Sequence, residues 1–129
     1  MRSMKQRWRL KVNSYRKGRL AEILAHFFVR ICGYRIVAEN YVTGRGSRAG
    51  EIDFVAVKKR HIYFFEVKQR SNLTAAAYAV SDRQKGRIVR GAEGFLQKNP
   101  SYKDYEVHFS AVLVSLPLSV KVIVDAWRL

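Results

Sequence analysis

Gly50-Glu51-Ile52-Asp53-Phe54-Val55-Ala56-Val57-Lys58-Lys59-Arg60-His61-Ile62-Tyr63-Phe64-Phe65-Glu66-Val67-Lys68 is the stretch that decides the fold. Two runs rich in Val, Ile, Phe and Tyr flank a polar break from Lys58 to His61, the pattern of a β-hairpin. A turn centred on Lys59 and Arg60 brings Val57 opposite Ile62. Counting outward from that pair places Asp53 opposite Glu66 and Glu51 opposite Lys68. Side chains alternate along a strand, so these four share a face with Val55, Val57, Ile62 and Phe64. Ile52, Phe54, Ala56, Tyr63, Phe65 and Val67 take the other face. Both faces are apolar over most of their length, as in a sheet covered on both sides.

Directly opposed residues have Cβ atoms roughly 4.5–5.5 Å apart, and like charges so placed repel. A cation between Asp53 and Glu66 relieves that repulsion, and a divalent metal is the natural candidate. Carboxylates on such apolar strands otherwise carry a desolvation cost. The plainer alternative is a pair of acids neutralised by nearby Lys and Arg, with Glu51 and Lys68 an ordinary cross-strand ion pair.

Working outward, Leu20, Ile23, Leu24, Phe27, Phe28 and Ile31 recur at helical spacing. They predict a helix from Ser14 or Tyr15 to Cys32, stopped by Gly33. Tyr34 to Tyr41 reads as a strand, and Val42 to Gly50 as a loop of Gly, Arg and Ser. The segment Thr74 to Tyr78 fits either a helical turn or an ordered loop. Ser81-Asp82-Arg83-Gln84 has the form of a capping box opening a second helix, whose Ile88, Val89, Ala92, Phe95 and Leu96 form one face. Asn99-Pro100 closes it. Tyr105 to Leu116 and Val120 to Trp127 read as two more strands, parted at Pro117. The order is α-β-β-β-α-β-β: a single α/β domain over residues 14–129, with a mixed sheet flanked by helices, preceded by a basic arm over residues 1–13.

A chain of 129 residues with 48% hydrophobic residues supports one real core and not two. Its formal net charge of +15 makes a field that attracts polyanions, nucleic acid foremost. Ribosomal RNA or an anionic membrane surface would feel the same field. Cys32 is the only cysteine, which rules out an intrachain disulfide and a cysteine-rich metal site. Its apolar helical surroundings predict a buried structural thiol. His26, His61 and His108 have no metal-ligand spacing and read as structural or surface residues. No apolar run reaches the roughly 18–20 residues of a membrane span. The basic N-terminus lacks the apolar segment of a secretory signal, so a cytoplasmic protein is expected.

Asp53, twelve intervening residues and then Glu66-Val67-Lys68 resemble the Asp…Glu-x-Lys signature of the PD-(D/E)XK nuclease superfamily. Ala21-Glu22, Gly33-Tyr34-Arg35-Ile36, Asn40-Tyr41, Gly50-Glu51-Ile52-Asp53 and Phe65-Glu66-Val67-Lys68-Gln69-Arg70-Ser71 resemble the small bacterial YraN family, itself similar to archaeal Holliday junction resolvases. This resemblance implies a restriction-endonuclease-like core with a hydrolytic site on the second and third strands. Asp53 and Glu66 would be metal ligands, with the Val67 carbonyl as a third oxygen donor to Mg²⁺ or Mn²⁺. Lys68 would orient or help deprotonate the attacking water. Glu22 matches the family's helical acid, and Lys85 a helical lysine able to hold a phosphate. On the helix itself, Glu22 falls at the margin of the apolar face, so a cleft and solvent are both open to it. Where relatives have Arg-Phe-Asp near the fourth strand, this chain has His108-Phe109-Ser110 and lacks the acid.

The expected activity is metal-dependent hydrolysis of DNA by an endonuclease selective for structure rather than sequence, branched junctions being one candidate substrate. Arg16, Lys17, Arg19, Arg45, Arg48, Arg83, Lys85 and Arg87 would track the backbone, and nothing points to base-specific reading. Symmetric cutting of a four-way junction calls for a homodimer. The alternative is a non-catalytic nucleic-acid-binding protein that retains the fold.

Overall fold

The computed structural model describes residues 19–46, 49–71, 80–115 and 119–127. The basic arm, Arg16, Lys17, Arg48 and the Thr74–Tyr78 segment lie outside the described residues. Helix α1 covers residues 19–31. Strands β1 (Arg35–Thr43), β2 (Gly50–Lys58) and β3 (His61–Gln69) follow, then helix α2 (Asp82–Lys98), a 3-10 turn (Pro100–Tyr102), and strands β4 (Glu106–Ser115) and β5 (Ser119–Trp127). The expected element order is therefore the observed one. β1 runs longer than its sequence suggests, because Thr43 pairs with Gly50 and leaves only a short loop between β1 and β2.

The five strands form one sheet in the order β1-β2-β3-β4-β5. All neighbours are antiparallel except β3 and β4, which run parallel. A parallel pair needs a crossover, and α2 supplies it. At the β2–β3 hairpin Val57 faces Ile62, as the polar break predicts. Lys59 there takes φ 56°, the left-handed backbone that two-residue hairpins require at their first position.

Each face of the sheet carries its own core. On the α2 side, Ile52, Val55, Val57, Ile62 and Phe64 pack with Ile88, Ala92, Phe95, Phe109 and Trp127. On the α1 side, Phe54, Ala56, Tyr63 and Phe65 pack with Ala21, Ala25, Val29, Val112 and Val114. Ile52 departs from the expected alternation: it sits with Val55 rather than with Phe54. Gly50 and Gly91 explain the shift. A Cβ on Gly50 would lie 2.3 Å from the Gly91 nitrogen, so the backbone of β2 rests directly on α2 and draws Ile52 beneath the helix.

Helix α1 corrects a second expectation. Its buried stripe is Ala21, Ala25 and Val29, whereas Leu20, Ile23, Phe27 and Ile31 are 45–68% exposed. The sheet beneath already presents the large rings of Phe54, Tyr63 and Phe65, with Tyr34 packed edge-on to Tyr63 and Phe65. A helix approaching such a surface closely must do so with small side chains. Cys32 follows from the same rotation: it lies past the last helical residue and is exposed, not buried.

Candidate active site

The site begins where the sheet splits. The β2–β3 ladder runs from Lys58↔His61 to Phe54↔Phe65 and stops there, although both strands continue. Beyond that point β2 stays with β1 as far as Gly50, and β3 stays with β4 as far as Gln69. The two halves part like a fork, and Asp53 and Glu66 occupy its crotch. The Val67 amide donates to Asp53 Oδ2 at 2.7 Å, so a side chain bridges the opening that the ladder leaves.

The fork also redirects the outer pair. Glu51 and Lys68 do not meet across the strands. Lys68 Nζ lies 2.9 Å from Glu66 Oε1, and both side chains are only 13% exposed. Glu51 is held by Arg87 of α2. The cross-strand ion pair read from the hairpin register is therefore replaced by two pairs, because the strands have diverged before reaching it.

Asp53 and Glu66 remain together: their carboxyl groups lie within hydrogen-bonding reach of each other. Burial pushes the Asp53 carboxyl up to about 7, and the Glu66 charge adds to the rise. The Val67 amide opposes it, while the Glu66 hydrogen bond and the Glu22 charge raise it further. Two acids so placed cannot both ionise cheaply without positive charge, part of which Lys68 supplies to Glu66.

Two clefts open on this point. One, of about 510 Å³, is lined by Arg19, Glu22, Asn40, Asp53, Glu66 and Gln69. The smaller, of about 160 Å³ on the α2 side, is lined by Glu51, Asp53, Glu66, Gln84, Arg87 and Ile88. Glu22 thus shares the cleft rather than standing in bulk solvent. The reason is the rotation of α1: with Ala21, Ala25 and Val29 turned inward, Glu22 lies beside the buried stripe. It also pairs with Arg19 at 3.5 Å. Asn40 enters the cleft from a left-handed backbone, φ 49°, in a strand whose pairing is irregular at Ile36/Ala38.

Of the expected nucleic-acid contacts, Arg19, Arg45 and Arg83 are exposed, Lys85 is half-buried, and Arg87 is engaged with Glu51. One participant escaped the sequence reading. Ser81 Oγ accepts from the Gln84 amide at 3.2 Å, as its capping position predicts. The Gln84 side chain, however, donates to Glu66 Oε1 at 3.3 Å. The cap signal was visible, but the second use of Gln84 depends on where α2 docks.

A divalent cation fits this donor set. The fork offers two adjoining carboxylates and a third acid in the same cleft, all hard oxygen donors, and a positive charge there offsets the burial and the Glu66 charge that raise Asp53.

Residues 21–114 match the family described as "Uncharacterised protein family UPF0102". A UPF0102 protein of Bradyrhizobium diazoefficiens is 41% identical over 119 residues, covering 90% of this chain and 86% of the relative. One from Paramagnetospirillum magneticum is 40% identical over 114 residues, covering 88% of each chain. A third, from Rhodopseudomonas palustris strain HaA2, is 42% identical over 105 residues, covering 81% of this chain and 79% of its own. Among the described residues no helix is long and apolar enough to cross a membrane.

Proposed function

This chain belongs to the uncharacterised protein family UPF0102, and we propose that it is a metal-dependent endonuclease acting on DNA by structure rather than by sequence. One observation carries the reading: Asp53 and Glu66 are brought together at a buried fork that pushes the Asp53 carboxyl up to about 7. Such a site takes up a cation in place of a proton at neutral pH and above.

Asp53, Glu66 and the Val67 carbonyl would hold Mg²⁺ or Mn²⁺. When bound, the ion supplies charge relief to the phosphate and acidifies a water. The remaining work falls to the chain itself. Lys68, anchored on Glu66, keeps an ammonium in the site as negative charge develops on the phosphate. Glu22 faces the same cleft and offers a base for the water's proton. Gln84 holds the Glu66 carboxylate in one rotamer. Arg19, at the mouth, and the net charge of +15 draw the DNA backbone. Branched junctions are the proposed substrate, and symmetric cutting of a four-way junction would bring two copies together.

The test is direct. Flap, fork, four-way junction and linear DNA are incubated in Mg²⁺ or Mn²⁺ with the parent and with Asp53→Ala and Glu66→Ala. The parent should cut at least one substrate, and both variants should lose cleavage while keeping salt-sensitive binding. Binding by all three proteins with no cleavage of any DNA would overturn the nuclease reading in favour of a non-catalytic nucleic-acid-binding protein.

A further inference from the structure

At the far end of β3 and β4 from the carboxylates, parallel pairing sets His61 beside Glu106 and Tyr63 beside His108. His61 Nδ1 lies 2.9 Å from His108 Nε2 and 3.3 Å from Glu106 Oε2. The three donor atoms all fall within 4.8 Å of one another. The geometry points to a second metal site here, built for a zinc-type cation and independent of the proposed nuclease reading.

Asp125 of β5 gives the cluster its direction. Its Oδ1 lies 2.7 Å from His108 Nδ1. A carboxylate accepting from Nδ1–H leaves Nε2 of His108 as an acceptor, which takes the His61 Nδ1–H here and becomes a ligand once a metal displaces that proton. Asp125 reaches that position through an irregular strand. Pairing slips between Phe109↔Trp127 and Ala111↔Ile123, and Asp125 takes φ 53° in the extra length. A non-glycine residue in the left-handed region is costly unless its surroundings hold it there. His108 is itself fixed, only 11% exposed and stacked on Tyr63 with ring centroids 4.7 Å apart.

The spacing suits zinc. Metal–nitrogen distances of about 2.0–2.1 Å at tetrahedral angles separate neighbouring donors by about 3.3 Å, close to the two contacts that His61 makes at 2.9 and 3.3 Å. Two imidazoles and a carboxylate select Zn²⁺ and its neighbours rather than Mg²⁺, which the oxygen-only fork prefers. Glu106 and Asp125 together balance a divalent charge. With His61 39% and Glu106 68% exposed on their side chains, ions can enter from solvent and a water can take the fourth position. Glu106, His108 and Asp125 also line a cleft of about 510 Å³, together with Ala92, Leu96, Phe109 and Trp127.

Titration calorimetry of the full chain with Zn²⁺ tests the site, with Co²⁺ as a spectroscopic probe. The parent should bind one Zn²⁺ here, and Co²⁺ should give the visible bands of a tetrahedral centre. His108→Gln should abolish both signals. Glu106→Gln, a change at an exposed position that leaves folding intact, should weaken Zn²⁺ by at least about tenfold. Asp125→Asn, a positioning variant, should weaken it about 10–100-fold without changing the stoichiometry. Asp53→Ala should leave the tetrahedral Co²⁺ bands unchanged. Absence of Zn²⁺ binding by the parent overturns the inference. So do tetrahedral Co²⁺ bands that survive both His108→Gln and Glu106→Gln, because the ion that gives them then sits elsewhere.

Discussion

Replacing Asp53 with Asn should stabilise the metal-free protein above neutral pH and leave it unchanged in acid. The Asp53 carboxyl titrates at about 7 in the fold, against 3.8 for the unperturbed group. Between those values the folded chain holds a proton that the unfolded chain has released. Stability therefore falls as pH rises through the window, and the loss is complete above about 7. A rise from 3.8 to about 7 corresponds to about 4 kcal/mol at most. Asparagine keeps an acceptor for the Val67 amide and carries no charge, so it escapes that loss. Urea unfolding of parent and variant in EDTA measures it. With a slope of about 2 kcal/mol per molar urea, the variant's midpoint should exceed the parent's by up to about 2 M at about pH 8. The gap should close towards about pH 4. Taking the difference between the two proteins cancels the titrating groups that do not interact with Asp53. Saturating Mn²⁺ should then raise the parent's midpoint at about pH 8 and leave the variant's nearly unmoved. Midpoints that run parallel across the whole range, or a parent that gains on the variant as pH rises, would refute the reasoning.

Two further outcomes follow from the fold. Gly50→Ala places a Cβ 2.3 Å from the Gly91 nitrogen, and neither backbone can yield without lifting α2 off β2. It should cost about 3 kcal/mol of stability, read from urea midpoints; a loss below about 0.5 kcal/mol would mean that β2 and α2 do not touch. Cys32, exposed and unpaired, should react with a thiol reagent in the native protein at nearly the rate of a free thiol. Labelling that appears only in denaturant would show that α1 is rotated differently.

Much of this architecture was legible in the chain. The Val57–Ile62 register follows from a short polar break between two β-rich runs, and Ser81 marks the start of α2 by its side-chain chemistry. What escaped has physical causes. The face of α1 was misjudged because periodicity weighs hydrophobic bulk, while close packing on aromatic rings favours Ala21, Ala25 and Val29. The fork escaped because strand counting assumes that two strands stay paired to their ends. Here β2 remains with β1 and β3 with β4, which left Lys68 to find Glu66 and Glu51 to find Arg87. Gln84 and Asp125 act through docking and through an irregular strand, neither of which has a local signal. His61 and His108 stand 47 residues apart and meet only because α2 returns the chain in parallel.

That parallel ribbon has an energetic consequence. His61 and Glu66 sit five residues apart on β3, about 17 Å at the usual rise of an extended strand. Groups so far apart, with no shared partner, contribute to stability additively to within about 0.3–0.5 kcal/mol. A protein carrying both Asp53→Asn and His108→Gln should thus display the sum of two separate changes. Any excess would gauge how stiffly the central strands couple one end of the molecule to the other.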